Sequence, residues 1–464
     1  MDLRQVLIIL ASFSIHFCVI GSFFSFGQFF QPLRDAFDAS SGAVGLVAGL
    51  HTGIFTGSSS ITGKFVDSTS PTISATLGAI LYAGGCIMAS QADSLTALAV
   101  WYGAVAGFGG SLAFIPAIVS VSIFPPARRG TALGIAVSGS GAGNFGVAAL
   151  LGSVLIPKLG WRGALATQGG AAGVVILLSA LAMPKIKKKK KAAGDVKEDG
   201  KAEAVERLWD FMKTRTYLLI LAANTVAAIG LLGVFTHVVP LAEDFDIAPE
   251  STVWIVPAMG ISSMVGRIVL GYVGDAFGHV KVLQGSAALC AGMCAALPFV
   301  AKSGSVPGLF SVATLYSLGA GAYIATLPAF ASYMFPPALM GRLMGTLYAA
   351  SGVGNVLSSP VMGLLRDRWS YVPSFLVAAG FLLLGLLFLL PVQEQTPYES
   401  PSSRVSDEVF FVASPGGPVV QGDAVLGAVE DVVVASPRRR TVRIRRRGER
   451  RRHRSRVRRA NMNA

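Results

Sequence analysis

Twelve apolar segments, each close to the length of a bilayer-crossing helix, dominate the sequence between residues 6 and 391. A helix needs about 20 apolar residues to cross the hydrocarbon core of a membrane. Helices and closed barrels are the only structures whose backbone groups are all hydrogen-bonded there. We therefore predict an all-α integral membrane protein with twelve transmembrane helices, at 6–30, 44–66, 72–91, 95–123, 130–156, 163–183, 217–241, 252–274, 280–300, 306–334, 341–365 and 371–391.

The composition agrees with a membrane protein. Charged residues make up 14% of the chain, whereas about a quarter of a typical soluble protein is charged. Spans 2, 4 and 10 are weaker than the others because they are rich in Gly and Ser, so ten or eleven spans is the competing count. The first apolar stretch has no small-residue cleavage pattern behind it, and we expect a transmembrane helix rather than a signal peptide.

The basic residues between the spans predict the orientation of the chain. Lys64, the run at 185–191 and Lys281 fall on one side, whereas the loop at 243–250 on the other side is acidic. Cytoplasmic loops carry an excess of Lys and Arg, so we predict that both termini are cytoplasmic. Four basic residues run against this trend: Lys158, Arg162, Arg366 and Arg368.

An internal repeat divides the chain into two related halves. The segment 124–127, Phe-Pro-Pro-Ala, recurs at 335–338, an offset of 211 residues, and the glycines that follow it recur at the same offset. Asn144 and Asn355 occupy equivalent places in the two copies. The predicted organisation is therefore an N-terminal six-helix half at 1–183, a basic cytoplasmic linker at 184–216, a C-terminal six-helix half at 217–391 and a disordered tail at 392–464.

Two pseudo-symmetric halves related by an axis along the membrane normal are the architecture of major facilitator transporters. A loop motif supports this resemblance. The superfamily pattern G-x-x-x-D-x-x-G-x-x-K/R is similar to the stretch after span 8, and part of it survives after span 2. Together with the arginine pair before span 5, these residues are predicted to act in gating rather than in substrate choice: Gly63, Asp67, Arg128, Arg129, Gly271, Asp275, Gly278 and Lys281.

Within that superfamily the sequence resembles the monocarboxylate transporter family. The similarity lies in the segment 124–141 entering span 5, in 25–37 at the end of span 1 and in 237–244 at the end of span 7. The resemblance implies facilitated or proton-coupled movement of small carboxylates. It places Arg267 at the family's carboxylate-binding arginine, but Ser263 at its aspartate and Phe24 at its span 1 lysine. We therefore expect weaker proton coupling than in a typical proton-linked member.

Arg267 is distinctive without any family, because it is a charged residue deep in an apolar span. Intramembrane charges usually face a water-filled cavity and serve function. The alternative is an arginine that extends to the cytoplasmic surface. An anionic substrate would supply the missing counter-charge, and a guanidinium group suits a carboxylate in two-point contact.

Neutral side chains in the spans complete the candidate site. Three histidines, His16, His51 and His237, are the intramembrane groups that titrate near neutrality and are candidates for proton coupling. A hydrogen-bonded structural role is the alternative for each. His237 and Ser263 are also candidates for substrate binding. Asn144 and Asn355 are expected either to bond neighbouring helices or to contact substrate. Aromatic side chains predicted to line the central cavity, or else to pack between helices, are Phe24, Phe26, Phe114 and Tyr323.

The tail carries almost all of the net charge. Between Arg438 and Arg459 there are fourteen arginines and one glutamate, a net charge of +13 out of +14 for the chain. On a cytoplasmic tail, anionic lipid headgroups are the expected partner, and no nucleic-acid partner is expected. Nothing in the sequence predicts an accessory membrane protein.

The predicted function is secondary transport of a small organic anion by alternating access, at the plasma membrane or an organelle membrane. The sequence holds no nucleotide-binding P-loop and no metal-ligand cluster, so we expect neither an enzyme nor a cofactor. One alternative is a carrier of a larger aromatic or vitamin-like solute. The other is a transporter-like receptor that moves nothing.

Overall fold

The computed structural model describes residues 3–122, 126–183, 209–334 and 340–393, together with the backbone of 433–435 and 441–443. These residues form a helical bundle. Most of the predicted linker and of the tail lies outside the described residues. The helices of the N-terminal half are Leu3–Phe24, Gly27–Phe37, Ser41–Gly57, Ser59–Ser68, Pro71–Ser90, Leu95–Leu98, Ala99–Ala106, Gly107–Ser122, Pro126–Leu150, Leu151–Leu155 and Ile156–Ala182, of which Ala99–Ala106 and Leu151–Leu155 are π-helical. Those of the C-terminal half are Arg215–Leu231, Gly233–Asp244, Pro249–Thr252, Ile255–Phe277, His279–Lys302, Val306–Met334, Met340–Arg368 and Tyr371–Leu389.

These helices account for the twelve predicted spans. By length and hydropathy, nine segments of the described chain qualify as membrane-crossing, and one of them, Gly134–Ala182, is 49 residues long. Gly160, with φ 65° and ψ 175°, breaks this segment, so it holds both span 5 and span 6. Spans 2 and 11 are helical but are not among the nine.

The span boundaries differ from the predicted ones at several ends. Span 1 continues after a short break as Gly27–Phe37, beyond the predicted end at residue 30. Span 7 is interrupted at Leu232 and continues to Asp244, beyond the predicted 241. Helical hydrogen bonding therefore continues past the point where the apolar pattern that defines a span has ended.

Side chains before several helices fix where those helices begin. Ser40, Ser70 and Ser94 each accept a hydrogen bond from the backbone N–H three residues later, at 3.2 Å. Thr214 does the same before span 7. Such N-caps satisfy backbone donors that have no partner within the helix.

The contacts between helices repeat from one half to the other. In the N-terminal half, span 1 packs on spans 5 and 6, and span 3 packs on spans 4 and 6. In the C-terminal half, span 7 packs on spans 11 and 12, and span 9 packs on spans 10 and 12. The halves meet through two equivalent pairs, span 2 with span 11 and span 8 with span 5. The pseudo-symmetry predicted from the repeat is therefore present in the packing.

Glycines allow the backbones of the two halves to approach closely. A Cβ added at Gly45 of span 2 would lie 2.7 Å from the Ser359 carbonyl oxygen of span 11. Nearer the other end of the same pair, a Cβ at Gly352 would lie 2.6 Å from the Gly57 Cα. Small residues drive helix association in membranes because van der Waals contact, rather than the hydrophobic effect, holds the helices together.

An even number of spans places both ends of the bundle on one face. We call the face with Leu3 and Leu389 the terminal face, and the face with the loops 38–40, 245–248 and 369–370 the opposite face. The terminal face is the one that the basic residues predict to be cytoplasmic. This orientation stays a prediction.

In the tail, Val433–Ala435 and Thr441–Arg443 form a two-stranded antiparallel ladder with Val434 opposite Val442. The disorder predicted for the tail stays a prediction. Valine and threonine favour the extended conformation that such a ladder requires.

Candidate functional site

Arg267 lies at the contact between the two halves. It is on span 8, its side chain is 9% exposed, and its Nη1 donates a hydrogen bond to Ser140 Oγ on span 5. Among the described residues, no carboxylate lies within ion-pair distance of this guanidinium, and its Nε has no hydrogen-bond partner. A buried position between the halves fits the functional interpretation better than an arginine that extends to the membrane surface.

His16 of span 1 lies in the part of that helix that packs on span 5 around Ser140, the partner of Arg267. A Cβ added at Gly139 would overlap the Phe13 carbonyl oxygen, and one at Gly143 would overlap the Phe17 carbonyl oxygen. At this position His16 also interacts electrostatically with Arg267. Its Nδ1 is 2.7 Å from the Ser12 carbonyl oxygen, and because a carbonyl only accepts, Nδ1 carries the hydrogen. Nε2 is buried without a partner among the described residues. The ring centroid is 4.9 Å from that of Phe114 on span 4.

The other two histidines differ from His16 in their surroundings. His51 donates from Nδ1 to the Tyr102 carbonyl oxygen at 2.8 Å and stacks on the Tyr102 ring at 4.5 Å. It therefore lies inside the N-terminal half. His237 has both nitrogens engaged, Nε2 with Ser359 at 2.9 Å and Nδ1 with the Tyr371 hydroxyl at 3.4 Å. These contacts hold His237 against spans 11 and 12 of its own half.

The two equivalent asparagines have different contacts. Asn355 Nδ2 donates to Thr56 Oγ1 at 3.0 Å, which joins span 11 to span 2 across the halves. Asn144 is 1% exposed, and neither its amide oxygen nor its amide nitrogen has a partner within the described part of the chain. Asn144 is one helical turn from Ser140 on span 5, so its amide is on the same side of that helix as the partner of Arg267.

Of the remaining predicted residues, some lie at the contact between halves and others do not. Phe24 packs on Phe235 of span 7 at 4.5 Å between ring centroids. Phe26 instead stacks on Tyr102 at 5.4 Å, inside the N-terminal half.

Ser263 and Tyr323 belong to the C-terminal half. Ser263 is buried one turn before Arg267, against Gly321 of span 10. The hydroxyl of Tyr323, two residues beyond Gly321, is buried without a partner among the described groups. It therefore offers an unsatisfied polar group on span 10.

The predicted gating residues are only partly described. Gly278, with φ 106°, forms the sharp turn between spans 8 and 9, which favours glycine. Gly63 and Gly271 have no atom within 4 Å of an added Cβ, and Lys281 is exposed. The side chains of four residues lie outside the described set: Asp67, Arg128, Arg129 and Asp275.

The sequence analysis missed a polar cluster on the opposite face. The Asp367 carboxylate at the end of span 11 accepts hydrogen bonds from the backbone N–H groups of Ser41, at 3.0 Å, and Gly42, at 2.8 Å. It thereby caps span 2 from the other half. The neighbouring Arg366 forms an ion pair with Asp244 at the end of span 7. The available signal was the adjacent Arg366-Asp367 pair at the end of span 11. The sequence analysis considered only Arg366, as an exception to the excess of basic residues in cytoplasmic loops.

This arrangement defines a class of protein. Two pseudo-equivalent six-helix halves meet around a buried cation near the middle of span 8. Hydrogen bonds also join the halves at the opposite face. This is the architecture of a secondary transporter rather than of an enzyme. The described residues also include no group of three or more His, Cys, Asp or Glu side chains placed to hold a metal ion.

Comparison with known proteins identifies the family. The family model for the Major Facilitator Superfamily matches residues 12–240 and again 218–447. The chain belongs to this superfamily, and it is a multi-pass membrane transporter that resembles the monocarboxylate transporters.

Relatives and a solved structure agree with this assignment. The chain is 28% identical to monocarboxylate transporter 13 of Bos taurus over 87% of this chain and 92% of the relative. It is 27% identical to monocarboxylate transporter 12-B of Danio rerio over 68% and 72%, respectively. A bacterial homologue of the human lysosomal transporter Spinster, in an inward-facing and unoccupied conformation, superposes with a TM-score of 0.67 at 15% identity, over 84% of this chain and 97% of that one. The last likeness shows the fold alone.

Proposed function

We propose that this transporter carries a small organic anion of the monocarboxylate type, and that Arg267 binds its carboxylate. The observation that supports the proposal is the buried guanidinium between the halves, which lacks a carboxylate partner among the described residues. A buried charge that remains unpaired costs several kcal/mol. A bound anion would remove that cost.

The free donors of Arg267 suggest how the anion binds. Nη1 is engaged by Ser140, whereas Nε has no partner. Nε and Nη2 lie on one edge of the planar guanidinium, and this edge presents two parallel donors to a carboxylate. One buried cation favours a single negative charge. The unsatisfied amide of Asn144, one turn from Ser140 on span 5, is suited to a hydroxyl or keto group of the same solute.

The experiment is uptake of a labelled panel into proteoliposomes. The panel holds pyruvate, lactate, aromatic amino acids and vitamins. Truncating one partner of a buried charge pair costs about 2–5 kcal/mol, so we expect Arg267→Ala to lower monocarboxylate uptake by about 30-fold or more. Arg267→Lys should recover little, because an ammonium group lacks the planar pair of donors.

The control is Arg4→Ala, which removes an exposed arginine at the start of span 1. This variant should transport at the wild-type rate per reconstituted copy. Wild-type uptake by Arg267→Ala would remove Arg267 from the binding site.

Two alternatives remain open to the same panel. Preference for an aromatic or vitamin-like solute would favour the larger-solute carrier, an idea supported by the Phe24–Phe235 contact between the halves. A wild-type protein that binds a solute but catalyses no counterflow would favour the receptor.

We also propose symport with protons, residence in the plasma membrane and adhesion of the Arg438–Arg459 segment to anionic lipid headgroups. The support for adhesion is the net charge of +13 in that segment. Each basic residue near an anionic membrane surface contributes about 1 kcal/mol of binding free energy. Nearly all of that segment lies outside the described residues, and the proposal rests on its sequence.

A further inference from the structure

We infer that Nε2 of His16 is the site where a proton binds together with the anion on Arg267. This inference rests on the proposed function, because it assigns the proton partner of the same anion site. It also selects one histidine from the three that the sequence offers.

The hydrogen bonds of His16 fix which nitrogen can accept a proton. Nδ1 donates to the Ser12 carbonyl oxygen at 2.7 Å, and Ser12 is itself held in place because its hydroxyl donates to the Ala117 carbonyl oxygen of span 4 at 3.0 Å. The neutral ring therefore carries its hydrogen on Nδ1 and its lone pair on Nε2. Nε2 is buried and has no partner in the described part of the chain, so its lone pair is available.

The charges around His16 are few. Span 4 contributes the Phe114 ring, and the described parts of spans 4 and 5 hold no titratable side chain at 107–122 or 132–156. Span 8 contributes Arg267. Tyr348 of span 11 interacts electrostatically with Arg267 in turn. Among the described residues, the guanidinium is thus the charged group that interacts with His16.

Two neighbouring cations in a site of low dielectric repel each other strongly. An empty Arg267 therefore opposes a proton on His16. A carboxylate on Arg267 cancels that charge and so removes this opposition to the imidazolium. By the same linkage, a proton on His16 strengthens anion binding. The proton is taken from water at the open face onto Nε2 and is released to water at the other face when the anion leaves, so anion and proton cross together with no net charge.

The other histidines lack one of these features. The ring neighbours of His51 are Phe23, Tyr82 and Tyr102, so a proton there would not sense the anion at short range. His237 has no available lone pair, because Nε2–H donates to Ser359 and Nδ1 faces the Tyr371 hydroxyl. His51→Gln is therefore a matched control, since it removes a buried histidine that has the same Nδ1 bond and the same free Nε2.

The test compares wild type, His16→Gln and His51→Gln in proteoliposomes. The probe is labelled pyruvate, or the panel member that the wild type transports best. Uptake is measured with and without an inward proton gradient, and counterflow is measured at equal pH. We expect the gradient to stimulate the wild type and His51→Gln alike. For His16→Gln the ratio of uptake with and without the gradient should fall to about one, while counterflow persists.

Equilibrium binding supplies a second measurement that needs no transport. In the wild type, anion affinity should weaken with rising pH by up to about tenfold per pH unit, because about one proton is bound with each anion. His16→Gln should remove this dependence even if its counterflow is slow.

The outcomes separate the two proposals. A wild type that transports the probe while His16→Gln keeps both the gradient stimulation and the pH-dependent affinity would overturn the assignment of His16 and leave the anion carrier intact. Wild-type transport without any proton dependence would do the same. A wild type that transports no member of the panel would refute the proposed function itself, and the proton site with it.

Discussion

Replacing Asp367 by alanine should shift the carrier towards the conformation that is open at the opposite face. In the present structure the Asp367 carboxylate of span 11 accepts two backbone N–H groups at the start of span 2, from Ser41 and Gly42. These two donors have no partner within their own helix. The carboxylate therefore stabilises the closed arrangement, and opening this face must separate it from span 2.

The magnitude follows from the two hydrogen bonds. Loss of an N-cap costs about 0.5–2 kcal/mol, and a hydrogen bond to a charged group contributes about 1.5–3 kcal/mol. Water recovers part of this when the face opens, because Asp367 is only partly buried. We therefore expect a net change of about 1–2 kcal/mol, which shifts the ratio of the two conformations by about 5- to 30-fold. Asp367→Asn keeps one acceptor and should give a smaller shift.

The assay is a distance measurement between spin labels at Lys158 and Lys302, which are exposed on the opposite face in different halves. The four natural cysteines are buried and should not compete for the label. The control is Asp38→Asn, which removes an exposed carboxylate on the same face at a left-handed residue where asparagine is tolerated. An unchanged distance distribution in Asp367→Ala, or an equal change in the control, would refute the capping role.

Two further predictions use other parts of the chain. Gly363→Ala should weaken the contact between spans 2 and 11 at the opposite face, because an added Cβ would overlap the Ser41 carbonyl oxygen. Gly380→Ala is the control, because no atom lies within 4 Å of an added Cβ there. Equal shifts in the spin-label distances of both variants would contradict this. Truncation before Arg438 should leave uptake per surface copy unchanged while a peptide of the removed segment binds anionic but not neutral vesicles; equal binding to both, or a large loss of uptake, would contradict the lipid proposal.

The spans could be predicted because hydropathy acts on each helix separately. The bilayer demands an apolar stretch of a certain length, and this demand is visible in the sequence whatever the neighbouring helices are. The helix ends were less predictable. The helix Gly27–Phe37 carries Gln31, Arg34 and Asp35, with Gln31 bonded to both of the others, so it remains helical where its hydropathy has already fallen.

The site was predictable only as far as single residues are unusual on their own. Arg267 could be found because a lone charge in an apolar span is rare. The difference between His16 and His237 could not be found, because it depends on whether groups from other helices face the ring nitrogens, as Ser359 and Tyr371 do for His237. Asp367 was missed for the opposite reason, since a charge at the end of a span is common and only its contact with span 2 makes it informative.

The polar contacts between the halves differ in what can replace them during transport. At the opposite face, water can replace the Asp367 carboxylate as the partner of Ser41 and Gly42 once that face opens. At the centre, Arg267 donates to the neutral hydroxyl of Ser140 on the other half, and a carboxylate is a stronger acceptor for a guanidinium than a hydroxyl. In the proposed binding mode the anion takes the free Nε–Nη2 edge, and Nη1 keeps its bond to Ser140. Because that bond joins span 8 to span 5, an anion on the same guanidinium would act directly at the contact between the halves, which is the differential interaction that a ligand needs to shift a conformational equilibrium.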